Sequence, residues 1–200
     1  SKLKFDKIIL SPGIDINNCR LSAFLKKNKD KIYTDLDVFC SFYKNNCITI
    51  TGTNGKSTTC QILYEVLQKQ KFDVRLAGNI GTPILSIKNI NRKTLFVIEA
   101  SSYQLEYSKI FKSNYAAILN ISPDHIERHK TIKKYTKAKF RLLKNQLKGD
   151  LAFVKRNDKF INNELKLCNL KVKVIKVNTK SKKKFFKKIK NKYFLNETNK

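Results

Sequence analysis

Methionine is missing from all 200 residues, the first one included, and the last twenty run into lysine and asparagine. Neither end reads as a natural terminus, so the expectation is a piece of a longer protein. The five cysteines (Cys19, Cys40, Cys47, Cys60 and Cys168) form no CxxC pair and keep no regular spacing. With no signal peptide either, a disulfide framework is excluded and the thiols are expected to be reduced and buried. No apolar run approaches the roughly 18 to 20 residues that span a bilayer, so a soluble, cytoplasmic protein without a membrane partner is expected. There is no internal repeat. Arginine is scarce too: Lys and Arg total 43 against 15 Asp and Glu, yet only Arg20, Arg75, Arg92, Arg128, Arg141 and Arg156 are arginines. Readers of nucleic acid lean on the bidentate guanidinium, and the lysines are spread along the whole chain. The net charge of +28 therefore reads as a solvated surface, with no nucleic-acid partner expected. A basic nucleic-acid-binding module with an incidental phosphate loop is the rival reading from another functional class.

What is present is an alternation of short β-rich runs, at residues 7–10, 47–51, 95–100, 116–121, 151–154 and 172–177, with helical stretches near 57–69 and 132–147. That pattern predicts an α/β fold, a mostly parallel sheet with helices on both faces. Ligands sit at the carboxyl ends of such strands, and the polar clusters fall there. Ser11-Pro12-Gly13 follows the first run, Gly52 to Ser57 the second, Glu99 to Ser102 the third, and Asp124-His125 the fourth. Residues 1–46 read as the tail of a preceding Rossmann-like domain and 47–200 as an incomplete nucleotide-binding domain. Near the end, Phe185, Phe186, Ile189, Tyr193 and Phe194 fit one helical face.

Gly52-Thr53-Asn54-Gly55-Lys56-Ser57-Thr58 joins an apolar strand to a helix, which is how backbone N–H groups and a helix dipole are brought to phosphate oxygens. Lys56 would reach the β- and γ-phosphates and Ser57 would bind Mg²⁺. The general phosphate-loop pattern asks for glycine where Ile50 stands, so this is a variant form. Glu99 ends an apolar strand, where a carboxylate is costly unless it is paired or bound to a cation, and a hard oxygen suits Mg²⁺. Asp124-His125-Ile126-Glu127-Arg128-His129 holds both histidines of the chain; His129 is expected at the surface. Ile132, Tyr135, Lys139, Leu142 and Gln146 recur at three- and four-residue steps, placing Lys139 inside an apolar stripe.

The Thr51-to-Thr58 loop resembles that of the Mur ligases and the related folylpolyglutamate synthases. The Glu99-Ala100-Ser101-Ser102-Tyr103-Gln104-Leu105-Glu106 segment looks like that of the D-glutamate-adding branch of the Mur ligases. Ser11-Pro12-Gly13-Ile14, Gly78-Asn79-Ile80-Gly81, Asp124-His125 and Tyr135 to Lys139 are similar to further motifs of the family, in the family's order. The resemblance implies an ATP-binding central domain of a P-loop type and an ADP-forming amide ligase acting through an acyl phosphate. It implies that Gly52, Thr53, Asn54, Gly55, Lys56, Ser57 and Thr58 hold ATP. Two Mg²⁺ ions would be held by Ser57, Glu99, His125 and a carbamylated Lys139, with Lys56, His125 and Lys139 the catalytic set. Ser11, Pro12, Gly13, Asn79, Ser101 and Gln104 would bind UDP-N-acetylmuramoyl-L-alanine, the co-substrate being D-glutamate and the enzyme a monomer. The carboxy-terminal amino-acid-binding domain is expected to lie outside these residues, leaving the piece inactive by itself. Another Mur ligase or a folylpolyglutamate synthase is the nearest alternative.

Overall fold

The computed structural model describes residues 5–178. In chain order these form β1 (Ile8–Ile9), α1 (Ser22–Lys27), β2 (Ile32–Tyr33), α2 (Asp35–Phe42), β3 (Cys47–Thr51), α3 (Lys56–Lys69), β4 (Val74–Gly78) and β5 (Leu95–Glu99). They continue as α4 (Ser102–Tyr107), β6 (Tyr115–Ile118), α5 (Ile126–His129), α6 (Ile132–Lys144), β7 (Leu151–Lys155), α7 (Lys159–Leu167) and β8 (Lys173–Val177). Six strands make one sheet in the order β4-β5-β3-β6-β7-β8, and every pairing in it is parallel. β1 and β2 form a separate two-stranded parallel pair.

Period-two alternation sorts the strand side chains onto two faces. Ile50 and Val97 point to the α3 side, where they meet Cys60 and Val74. Phe96, Ile98, Ala116, Ile118, Ala152 and Val154 point to the opposite side and build the larger core. That core is closed by the apolar stripe of α6, with Tyr135, Leu142 and Leu143 at 1%, 0% and 0% exposure, and by Leu36 and Phe39 of α2. The predicted α6 stripe is therefore real through Tyr135, buried Lys139 and Leu142, but the helix ends at Lys144, and buried Gln146 lies just past it.

The predicted strands all form, though the first shrinks to Ile8–Ile9 and the one at 116–121 ends at Ile118. β4 was not anticipated. Its half-buried Arg75, whose guanidinium pairs with Asp73, interrupts the apolar alternation, and tertiary pairing with β5 overrides the local signal. The helices α1, α2, α4, α5 and α7 are nine residues or shorter, too short for a 3.6-residue period to stand out. The helical face expected at Phe185 to Phe194 lies outside the described residues. Among the described residues no helix is long and apolar enough to cross a membrane.

One buried carboxylate ties the leading segment to the sheet. Asp37, 0% exposed, caps its own helix at Thr34 N. It also accepts from Ser108 Oγ (2.9 Å) and from the backbone N–H groups of Lys109 (3.0 Å), Ile110 (2.9 Å) and Phe111 (2.9 Å). Deleting it strands several buried donors at once, each costing about 1 to 3 kcal/mol. Asp37→Ala is expected to lower the unfolding free energy by about 3 kcal/mol or more in denaturant titration. A loss below about 1 kcal/mol would show that the 108–111 turn is held by something else.

Candidate active site

β3 delivers the chain to a tight loop that only glycine can make at two points. Gly52 sits at φ 153°, and a Cβ there would lie 3.1 Å from the Leu119 Cβ. Gly55 is left-handed at φ 80° and serves as the N-cap of α3 without offering a side-chain acceptor to the first turn. The first-turn N–H groups of a 14-residue helix thus face the loop with their dipole, an arrangement suited to anionic oxygens. Asn120, beyond β6, clamps the loop: its carbonyl accepts from Thr53 N (3.0 Å), and its side-chain amide exchanges hydrogen bonds with Asn54 in both directions (2.9 Å each). Lys56 Nζ donates to the Thr53 carbonyl (2.8 Å), so the ammonium lies folded over the loop. Ser57 and Thr58 ride on the first turn beside it.

Glu99 ends β5 next to β3, in register with Ile50 and with Gly78 of β4. It is 1% exposed. Asn79 Nδ2 donates to its Oε1 (2.9 Å), and its Oε2 has no hydrogen-bond partner. A buried anionic oxygen in that condition fits a cation ligand. Gly78, φ 103°, admits the approach of the Asn79 turn, since a Cβ on it would fall 2.3 Å from the Glu99 carbonyl oxygen.

Lys139 enters from α6. Its Nζ donates to the Gly52 carbonyl (2.8 Å) and reaches Thr51 Oγ1 (3.4 Å), with the Tyr135 ring centroid 4.6 Å away. Burial, helped by the positive charge of Lys56, pushes its pKa down to about 7, while Asp124 and Glu99 pull the other way. A buried amine so shifted gives up its proton more readily than an exposed lysine. Lys56, Glu99, Asp124 and Lys139 are therefore electrostatic neighbours at one edge of the sheet.

His125 lies farther round that edge, left-handed at φ 51° and 43% exposed at its side chain. Its ring lies 6.2 Å from Tyr135, whose hydroxyl meets Thr53 Oγ1 at 3.2 Å. Asp124 Oδ2 stands 3.4 Å from its Nε2. His129, expected at the surface, is instead 2% exposed: its Nε2 lies 3.0 Å from Ser102 Oγ, and its ring packs on Tyr103 and Tyr135. Burial pushes its pKa down, against the pull of Glu106. The short α5 turns this face inward, and so short a helix gives no periodicity to read.

The residues expected to bind substrate divide into two groups. Asn79 is exposed and joined to Glu99. Ser101 caps α4 by accepting from Gln104 N (3.2 Å), while the buried Gln104 returns its Oε1 to Ser101 N (3.1 Å) and donates to Asp35 (2.8 Å). Ser11, Pro12 and Gly13 stand in a turn closed by Ile14 N on the Ser11 carbonyl. Arg128 draws that turn toward α5 through the Ile14 carbonyl (2.8 Å) and pairs with Glu106 (3.0 Å). Sequence reasoning did not pick out Asn120, Thr53 Oγ1 or Tyr135 as the clamp between loop and α6; the N-x-x-P turn was the available signal.

The donor set can be tested against the cations that the motifs imply. Glu99 fits one. As an ammonium, Lys139 repels a cation, so the pair Lys139 and His125 fits a second only if Lys139 carries a carboxylate. Among the described residues no group of three or more His, Cys, Asp or Glu stands close enough to hold a metal by itself, and the remaining ligands would have to be hydroxyl, phosphate or water oxygens.

Comparison with known proteins fits this geometry. The Mur ligase middle domain model matches residues 50–200. The UDP-N-acetylmuramoylalanine--D-glutamate ligase of Caldicellulosiruptor bescii is 44% identical over 140 residues, 69% of this chain and 30% of that protein. The ligase of the same name from Elusimicrobium minutum is 40% identical over 161 residues, 76% of this chain and 35% of that protein. The chain thus spans about a third of the length of the curated relatives it matches. Among solved structures, the MurF ligase of Thermotoga maritima in complex with ADP superposes with a TM-score of 0.57 at 16% identity, covering 88% of this chain and 48% of that one. That likeness speaks to the fold. With the family model covering most of its residues and the loop, carboxylate and lysine in place, the chain belongs to the Mur ligase family as a bearer of its middle domain.

Proposed function

We propose that this chain is the ATP-handling part of an ADP-forming ligase of peptidoglycan precursor synthesis, one that joins D-glutamate to UDP-N-acetylmuramoyl-L-alanine through an acyl phosphate. The observation that supports this reading best is the meeting of Lys56, Glu99 and Lys139 at the carboxyl ends of β3 and β5, beside an uncapped helix N-terminus. The D-glutamate-adding relatives matched at 40% identity or more favour this acceptor over other members of the family.

In this reading the α3 N-terminus and the Gly52-to-Thr58 loop cradle the phosphates of ATP. Lys56 exchanges the Thr53 carbonyl for β- and γ-phosphate oxygens. Two Mg²⁺ ions, when bound by Ser57 with Glu99 and by His125 with carbamylated Lys139, would neutralise charge building on the transferred phosphoryl group. Asn79, Ser101, Gln104 and the Ser11-Pro12-Gly13 turn orient the nucleotide sugar so that its alanyl carboxylate oxygen attacks the γ-phosphorus and ADP leaves. The amine of D-glutamate then attacks the acyl carbon and phosphate departs. Positioning and electrostatics carry most of such a transfer. The reading includes a cytoplasmic, monomeric enzyme with neither a nucleic-acid nor a membrane partner.

Carbamylation of Lys139 belongs to the same reading. The ammonium first loses one proton, and the neutral amine then forms an N–C bond to CO₂ and releases a second, so that a carbamate anion able to serve a metal replaces the buried cation. With the amine pKa near 7, uptake of ¹³C-labelled CO₂, followed by NMR, is expected to rise as pH climbs through 7 and to vanish in Lys139→Arg. Equal uptake at pH 6 and pH 8 would remove the assignment.

Lys56→Ala is expected to weaken Mg-ATP binding about 10- to 100-fold, the worth of a charge-assisted contact, with the unfolding midpoint nearly unchanged. Binding that survives in Lys56→Ala yet falls steeply with salt would favour the nucleic-acid reading instead. Phosphate release by the longer protein, assayed with each candidate acceptor and amino acid, tests the substrates directly. Release that requires folate and not the nucleotide sugar would overturn them.

A further inference from the structure

We propose that Tyr103 is the positioning residue for His125, holding its imidazole with the proton on Nδ1 so that Nε2 is the nitrogen left to bind a ligand. The inference deepens the reading of His125 as a metal ligand and rests on it for its purpose, but the placement of the proton can be measured without any metal. His125 is left-handed at φ 51° and 43% exposed at its side chain, with its ring packed against Tyr103 and Tyr135. Hydrogen bonds then decide which ring nitrogen carries the proton.

Tyr103 Oη lies 3.1 Å from Nδ1, the shortest contact the ring makes, with ring centroids 5.0 Å apart. Glu127 Oε1 stands 3.4 Å from the same hydroxyl and 3.6 Å from Nδ1. A proton on Nδ1 therefore finds the Tyr103 hydroxyl as its acceptor, and that hydroxyl in turn donates to Glu127. Nε2 faces a single acceptor, Asp124 Oδ2, at 3.4 Å, and the other oxygen of that carboxylate is engaged by His125 N (2.9 Å). The hydroxyl is itself anchored. The Tyr103 ring stacks on buried His129 (5.7 Å, 29°) and carries the Arg128 guanidinium at 5.1 Å. His129 is fixed by Ser102 (3.0 Å). The hydrogen bond to His125 Nδ1 is made by the Oη atom, so phenylalanine would keep the ring contacts and remove the hydrogen bond.

The chain has only two histidines, so ¹⁵N NMR of the imidazoles at alkaline pH reads both tautomers, and His125→Ala assigns them. The expected result is an Nδ1–H pattern for His125 in the wild type, a move toward Nε2–H in Tyr103→Phe, and an unmoved His129 that reports an intact fold. Glu127→Gln should give a smaller move in the same direction. An Nε2–H pattern in the wild type, or a His125 signal indifferent to Tyr103→Phe, overturns the proposal. As a second readout, the Mg²⁺ concentration for half-maximal ATP binding should rise about tenfold in Tyr103→Phe. A tautomer change without that rise supports the role of Tyr103 and removes His125 from the metal site instead.

Discussion

A lysine buried behind the phosphate loop is costly to desolvate, and the carboxyl edge of the sheet is organised around it. Lys139 is 1% exposed and meets the Gly52 carbonyl and Thr51 Oγ1. Those contacts lock α6 to the end of β3 and set the height of the loop above the sheet. Lys56 adds a second positive charge nearby, and Glu99 offers a carboxylate oxygen with no hydrogen-bond partner. Two lysines and an uncapped helix N-terminus make a cleft suited to anionic oxygens, beside a buried carboxylate with one unpartnered oxygen.

A second constraint works away from that cleft. Asp37 turns the carbonyl end of α4 and the approach to β6 into a ring of donors about one carboxylate, so α2 becomes part of the main core although it precedes the phosphate loop and β3 in the chain. The same scaffold presents the Ser11 turn to α5 through Arg128. Residues that would recognise a substrate are thereby held by bonds unrelated to the chemistry. Gln104 shows the principle within one side chain, capping Ser101 and reaching Asp35 while standing at the strand-tip edge.

The parallel sheet, the loop at residues 52–58 and the buried stripe of α6 were legible because each rests on a local pattern: alternation, a glycine-rich turn before a helix, and a three- or four-residue step. β4 was not, because Arg75 breaks its alternation and only pairing with β5 makes it a strand. His129 was misplaced at the surface because four residues of helix carry no period, and its burial depends on Ser102 and Tyr103, which are remote in sequence, as well as on nearby Tyr135.

The sequence by itself determined which side chains could handle phosphate, metal and amine chemistry, and the strand–loop–helix unit that carries the phosphate loop, since both follow from residue type and short-range spacing. The tertiary structure alone decided which of those groups share an environment. Lys139 near neutrality, Glu99 with an orphaned oxygen and His125 against a tyrosine hydroxyl are consequences of burial and of contacts across 22 to 88 residues of sequence. Desolvation and hydrogen bonding act over a few ångströms of space, and separation along the chain does not encode that distance.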